Sequence, residues 1–322
     1  MPVVAESSYR APLLFSNPHV QTVYPTLFRR VTGVTYSRKR INTPDEDFID
    51  LDISSVAAER MAIVLHGLEG DSGRGYMLGM VKALNRGGWD AAALNFRGCS
   101  GESNRQVRFY HSGDTGDLRT AISQLSIDGR YSEMALVGFS LGGNVVLKYL
   151  GECGPNVPAV IRKAAAMSVP CDLTSTSHRL AEPANRMYMK RFLRLLRQKI
   201  RMKMAVMPGR LNDDGYERIR NFKDFDDRYT APVHGFENAE DYWKKASSQP
   251  FLRQISVPTL LINAADDPFL TEPCFPVDEA KDNPFLLLEI PDHGGHVGFV
   301  TFNRSGEYWS ESRVVSFLND HQ

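Results

Sequence analysis

The segment Gly138-Phe139-Ser140-Leu141-Gly142-Gly143 carries the clearest chemistry in this sequence. It fits G-x-S-x-G, with a β-type run, Met134–Phe139, before it and a helical pattern from Gly143 after it. A strand that turns directly into a helix strains the serine backbone and leaves no room for side chains beside it, so glycines are needed there. The hydroxyl then stands exposed at a helix N-terminus, where the peptide dipoles favour developing negative charge. A G-x-S-x-G alone is often only a glycine-rich turn; the strand–turn–helix setting marks Ser140 as a nucleophile. Acyl chemistry also needs two backbone N–H donors aimed at the oxyanion. Leu141, after the nucleophile, is placed to give one. Leu68, in the loop after the buried run ending Leu65-His66-Gly67, is placed to give the other. His66 itself reads as a structural histidine bonding that loop.

A serine nucleophile requires a base, and the base an orienting acid. The histidines are His19, His66, His111, His178, His234, His293, His296 and His321. With a strand-to-helix nucleophile the chain order is Ser, acid, His. Only the last three histidines follow an acid at a strand end, and His321 lies at the chain terminus. The acid is Asp266 or Asp267, just past the run Thr259–Asn263; the base is His293 or His296, just past the run Phe285–Ile290. The residues alone leave both pairs open. Serine, acid and base thus all fall at carboxyl ends of strands, where open α/β sheets bind ligands.

Those strands belong to a longer alternation. The apolar runs Phe48–Ile53, Met61–Leu65, Ala91–Phe96, Met134–Phe139, Ala164–Val169, Thr259–Asn263 and Phe285–Ile290 alternate with amphipathic stretches. These are Tyr76–Leu84, Leu118–Leu125, Asn144–Leu150, Glu272–Lys281 and Glu307–Leu318, the second open to capping by Asp114 or Thr115. The pattern predicts an α/β fold with a mostly parallel central sheet flanked by helices. It breaks between Cys171 and about Gln249, where the chain is Met- and Arg-rich without a clear strand. The expected organisation is one core from 1–170 and 250–322, with a helical cap inserted at 171–249.

Composition removes other classes of function. The 322 residues hold 38 basic and 38 acidic side chains and are 42% hydrophobic. Zero net charge argues against a nucleic-acid partner, and the apolar content against disorder. About three quarters of the extended-chain surface of such a length is buried on folding, so one large core is feasible. No apolar stretch reaches a membrane-spanning length and no signal-peptide pattern opens the sequence. The four cysteines, Cys99, Cys153, Cys171 and Cys274, form no C-x-x-C pair, and buried free thiols in a reducing cytoplasm are expected. No zinc ligand spacing, G-x-G-x-x-G or P-loop pattern occurs, so no metal or cofactor is expected.

With these motifs in place, the sequence resembles the α/β-hydrolases. It is similar in particular to the carboxylesterase branch with an N-terminal N-P-H-x-Q-T signature, AB hydrolase family 4, here Asn17-Pro18-His19-Val20-Gln21-Thr22. The likeness extends over His66-Gly67-Leu68-Glu69-Gly70, Asn95-Phe96-Arg97-Gly98, the Ser140 turn, Asp266-Asp267-Pro268 and His293-Gly294-Gly295-His296-Val297-Gly298-Phe299. The resemblance implies Asp267 as acid and His296 as base. Animal relatives carry an N-terminal membrane anchor; this sequence shows none, and the soluble bacterial type is the expectation.

The function expected is hydrolysis of a small-molecule carboxylic ester through an acyl-enzyme on Ser140, Asp267 and His296. Transfer of the acyl group to another alcohol differs only in water exclusion by the cap. A ligand-binding pseudo-hydrolase would have lost a member of the set, and all are present. His19 and Arg97 read as structural, and Tyr110-His111-Ser112-Gly113 has no assigned chemistry. The stretch Arg186–Lys203 has eight Lys/Arg and no acid among interleaved apolar residues. It is expected as the charged outer face of the cap, with weak contact to a lipid interface as the alternative.

Overall fold

Residues such as Met61-Ala62-Ile63-Val64-Leu65 have no polar face, so a strand made of them must be covered on both sides. In the computed structural model, which describes residues 3–320, that is the arrangement found. The sheet has eight strands: β1 (Ser37–Asn42), β2 (Phe48–Ser54), β3 (Arg60–Leu65), β4 (Asp90–Asn95), β5 (Glu133–Phe139), β6 (Ile161–Met167), β7 (Thr259–Ile262) and β8 (Leu286–Glu289). Their order is β1-β2-β4-β3-β5-β6-β7-β8, with β2 antiparallel to both its neighbours, β1 and β4, and every other pairing parallel. This is an α/β-hydrolase fold. All seven expected runs are strands. The sequence pattern did not reveal β1, because only Ile41 of it is buried and its basic side chains face water. Arg38 and Arg40 there pair with Asp52 and Asp50 of β2 at 2.7 and 2.8 Å.

The helices are α1 (Pro18–Phe28), α2 (Gly75–Arg86), α3 (Gly116–Ser126), α4 (Leu141–Cys153), α5 (Leu173–Ala181), α6 (Arg186–Val206), α7 (Phe222–Phe225), α8 (Ala231–His234), α9 (Ala239–Ala246), α10 (Val277–Asp282) and α11 (Trp309–Asn319). Strand alternation sends Met61, Ile63 and Leu65 toward α3 and α4, and Ala62 and Val64 toward α2 and α11. Helices α5 to α9 lie between β6 and β7 in sequence and carry an apolar cluster of their own, including Leu193, Leu196, Ile200, Phe225 and Tyr229. Helix α3 starts without the expected side-chain cap, since Asp114 instead accepts from Arg108 at 2.6 Å. The stretch Glu272–Lys281 divides into a 3₁₀ turn and α10 around Pro276. All four cysteines are free; Cys153, Cys171 and Cys274 are buried and Cys99 is half-buried.

Helix α4 presses its first turn against the ends of β3 and β5. A Cβ at Gly142 would lie 2.6 Å from the Leu65 and His66 carbonyl oxygens, and one at Gly138 would lie 2.5 Å from the Gly142 carbonyl. Backbone cannot yield as a side chain can, so Gly142→Ala is expected to cost about 2–3 kcal/mol in guanidinium unfolding. Gly116→Ala, whose Cβ would meet nothing closer than 3.6 Å, is expected to be neutral or stabilising by up to about 1 kcal/mol.

Candidate active site

The turn between β5 and α4 holds Ser140 at φ 52°, ψ −120°, a conformation rarely adopted by a residue with a side chain. The Ser140 N–H is fixed by the Met167 carbonyl at 2.8 Å, and the Ser140 carbonyl accepts from Asn144 N–H at 3.0 Å. The hydroxyl lies 2.9 Å from His296 Nε2, and His296 Nδ1 lies 2.9 Å from Asp267 Oδ2. A carboxylate accepts, so the imidazole proton sits on Nδ1, and Nε2 is free to accept from the Ser140 hydroxyl. The Asp267 side chain is fully buried, and its other oxygen accepts from Phe269 N–H at 2.9 Å. The Phe269 ring lies against the imidazole, with centroids 4.2 Å apart.

Both pairs left open by the sequence are formed, but only one reaches the serine. Asp266 lies 3.2 Å from His293 Nδ1 and accepts from Gly295 N–H at 2.9 Å, so it braces the loop that carries His296. Burial raises the Asp266 pKa. Gly67 brings the Leu68 loop close to Ser140: a Cβ there would sit 3.1 Å from that of Ser140. The N–H groups on either side of Leu68 are occupied, Gly67 by the Tyr76 hydroxyl and Glu69 by the Tyr110 hydroxyl. No acceptor takes the Leu68 N–H among the described residues, and Leu141 is first in α4, where helix geometry offers its N–H no partner. Both residues line a chamber with Ser140 and His296. His66 is structural: its Nδ1 lies 2.7 Å from the Gly67 carbonyl, and its Nε2 accepts from Phe96 N–H at 3.2 Å. Arg97 is structural as well, buried among Asp45, Asp47 and Asp117. His321 lies outside the described residues.

The N-P-H-x-Q-T segment has a role that no local pattern could disclose. Asn17 caps α1, and His19 Nδ1 lies 3.0 Å from the Tyr188 hydroxyl of α6. The Thr22 hydroxyl accepts from the His296 backbone N–H at 2.9 Å, and the Gln21 side chain accepts from Val300 N–H at 3.0 Å. Gly295, at φ 55°, packs against this helix so closely that a Cβ would meet the Pro18 carbonyl at 2.5 Å. Ser168 braces the same loop, its hydroxyl accepting from Val297 N–H at 2.9 Å. Thr22, Gln21 and Ser168 thus support the loop without having been revealed by the sequence; the signature motif was the available signal for Gln21 and Thr22, and Ser168 had none.

Two chambers adjoin Ser140 and His296. The inner one is walled mostly by apolar side chains, among them Phe109, Leu173, Leu180, Leu196, Phe225 and Trp243, with polar Glu69, His111, Lys199, Asp226 and Thr230 also lining it. The outer one lies among α1, the Gly67–Tyr76 segment and α6. Helix α6 is less uniformly charged than its sequence suggests. Asp213 takes Arg197 and Arg201 at 3.0 and 2.7 Å, while Lys199 and Lys203 are buried. Lys199 lies 3.2 Å from Glu69, and Lys203 donates to the Asn104 carbonyl at 3.1 Å. The acid-free run therefore presents only part of its charge outward.

Three histidines near the site are held neutral by burial, with pKa pushed down to about 3 for His66, about 3 for His111 and about 2 for His234. The unfolded chain takes up these protons below about pH 6.5 and the folded chain does not, so their contribution is present above 6.5 and lost as pH falls. Asp226, pushed up to about 7 by burial, has the opposite sign between about pH 3.8 and 7. Stability is expected to fall from pH 6.5 to 5 in urea titrations. His66→Gln should flatten the slope by about 1.4 kcal/mol per pH unit below pH 6; equal slopes would mean that His66 is charged when folded.

Comparison with known proteins agrees with this architecture. The model of the alpha/beta hydrolase fold family matches residues 63–302. A protein named "Putative esterase YheT" from Escherichia coli (strain K12) is 37% identical over 314 residues, covering 95% of this chain and 92% of that protein. Human "Phospholipase ABHD3" is 28% identical over 309 residues, 93% of this chain and 75% of that one. The solved structure of the Pyrococcus furiosus esterase Pf2001 superposes with a TM-score of 0.59 at 19% identity, over 97% of this chain and 98% of that one. The chain belongs to the α/β-hydrolase fold family, as a YheT-like member of it.

Proposed function

We propose that this protein is a serine hydrolase that cleaves carboxylic esters through an acyl-enzyme. The observation that carries the reading is the relay from the Ser140 hydroxyl to His296 Nε2 and from His296 Nδ1 to Asp267, 2.9 Å at each step. Ser140 attacks the acyl carbon as His296 takes its proton, and the oxyanion is held by the N–H groups of Leu68 and Leu141. His296 then protonates the departing alcohol, and water resolves the acyl-enzyme by the same proton path. Asp267 holds the imidazole in the tautomer that can accept. The apolar inner chamber suits an acyl chain, and residues 171–249 serve as the cap that closes it, over the core of 1–170 and 250–322.

The relatives named esterase and phospholipase support an ester substrate. Among the described residues no helix is long and apolar enough to cross a membrane. Weak contact with a lipid interface is assigned to the cap, through Arg186, Lys190 and Arg194 beside the exposed Met187. Four unpaired thiols suit the reducing cytoplasm.

A fluorophosphonate probe is expected to label the wild type and not Ser140→Ala; labelling of the variant at another serine would refute the assignment. With p-nitrophenyl esters of increasing acyl length, Asp267→Asn is expected to lower kcat by orders of magnitude, about 10⁴ in the protease precedent. Asp266→Asn should lose far less, and His296→Ala far more than His293→Ala. The reverse ranking would move the acid or the base to the other pair.

Thr22→Val removes the acceptor for the His296 N–H and is expected to slow labelling and turnover by about tenfold, the scale of one buried unsatisfied donor. Thr22→Ser should restore most of the rate. An unaffected Thr22→Val would show that the loop is held without that bond.

A further inference from the structure

The two chambers beside Ser140 differ in kind. They share Leu68, Glu69, Phe192, Phe269 and His296, but three guanidinium side chains, Arg29, Arg74 and Arg191, line the outer one only. Their charges are not equally matched. Arg29 is neutralised by Glu311 in a two-pronged pair at 2.7 and 2.8 Å. Arg74 reaches Asp71 at 3.1 Å in a solvent-exposed pair, an arrangement of small energy, and donates to the Glu69 carbonyl. Arg191 has no carboxylate partner among the described residues; its charged neighbours are Arg74 from the opposite wall and Arg194. Among the described residues the one carboxylate lining the chamber, Glu69, is already held by the Tyr110 hydroxyl at 2.7 Å and by Lys199 at 3.2 Å.

Two guanidinium groups from separate elements therefore face one cavity that opens at its inner end onto the nucleophile. Like charges brought together destabilise each other, and an anion between them reverses the sign of that interaction. Guanidinium presents a planar fork of donors that fits the oxygens of phosphate or carboxylate. We propose that the outer chamber is the leaving-group subsite, in which Arg74 and Arg191 recognise a phosphate or carboxylate carried by the alcohol part of the ester. The inference rests on the ester-hydrolase reading of Ser140 and gives that reaction a direction, with the acyl chain inward and the charged alcohol outward. Ser140 Oγ bonds to the acyl carbon and its proton passes to His296 Nε2. When the bond from the acyl carbon to the alcohol oxygen breaks, that proton goes to the departing oxygen, and the anionic alcohol leaves through the outer chamber. Water then adds to the acyl carbon and gives a proton to His296 Nε2; the bond from the acyl carbon to Ser140 Oγ breaks, that water proton passes to Oγ, and the acid is released.

The test begins with binding, which needs no turnover. Ser140→Ala protein is titrated by calorimetry with monomeric 1-octanoylglycerol 3-phosphate and with 1-octanoylglycerol. The phosphate ligand is expected to bind at least about tenfold tighter, and Arg74→Gln or Arg191→Gln in that background to remove about tenfold of the preference, the scale of one charge-assisted hydrogen bond. Arg201→Gln, whose guanidinium lies on Asp213, is expected to retain the preference. In the active protein the ratio of kcat/KM for the two esters should fall by the same factor in the first two variants. Equal affinity for the ligands, or a preference that survives both substitutions, overturns the proposal. A preference seen only on phosphatidylglycerol vesicles and absent for monomers also overturns it, assigning the charge to bilayer attraction. An intact phosphate preference with neither ester cleaved would support the subsite and remove the ester-hydrolase reading instead.

Discussion

The first turn of α4 can approach β3 and β5 only because positions 138, 142 and 143 have no side chains, and the rest of the site is arranged around that contact. It holds Ser140 in a left-handed backbone conformation with the hydroxyl outward. Other strained residues lie around the same point: Glu69 at φ 53°, Ser168 at 52°, Val297 at 59° and Phe299 at 43°. Each such conformation costs about 1–3 kcal/mol and persists only where neighbours determine it. Here the neighbours are the buried ends of parallel strands, whose packing on both faces leaves the connecting loops little choice. Strain and rigidity are thus the same observation made at two levels.

Most of the sheet was legible in the sequence because strands covered on both faces must be continuously apolar. Strand β1 was not, since an edge strand can be polar when its charges find partners across the ladder, as Arg38 and Arg40 do. Helix α1 was equally hidden, with Pro25 inside it and only Gln21 buried. At the site, the strand-to-helix turn at Ser140 was legible because it demands a local glycine pattern. The choice between Asp266 and Asp267, and between His293 and His296, was not, because the members of each pair lie in one loop and each acid finds a histidine. Only the resemblance chose; in the structure it is His296, paired with Asp267, that lies within hydrogen-bond reach of Ser140. Thr22 was illegible for a different reason: its bond to His296 joins residues 274 positions apart.

Helix α6 shows how an even charge pattern in sequence becomes uneven in space. A run of eight basic residues without acids suggests one solvated face. The fold instead turns Lys199 and Lys203 inward onto the Glu69 and Asn104 loops, gives Arg197 and Arg201 to Asp213, and leaves Arg191 at the chamber beside the nucleophile. Lys199 fastens α6 to the loop that carries Leu68, through Glu69, and Lys203 fastens it to the Asn104 loop, so the helix and these two loops are tied together.

The bracing of the His296 loop by α1 also has a consequence for the order of events during synthesis. The ribosome delivers Ser140 and its turn long before residue 296, and α1 earlier still. Until β8 and the loop after it emerge and settle against Thr22 and Gln21, the nascent chain bears Ser140 without its imidazole neighbour. The contact of Ser140 with His296 is thereby delayed until two segments 274 positions apart in sequence have come together.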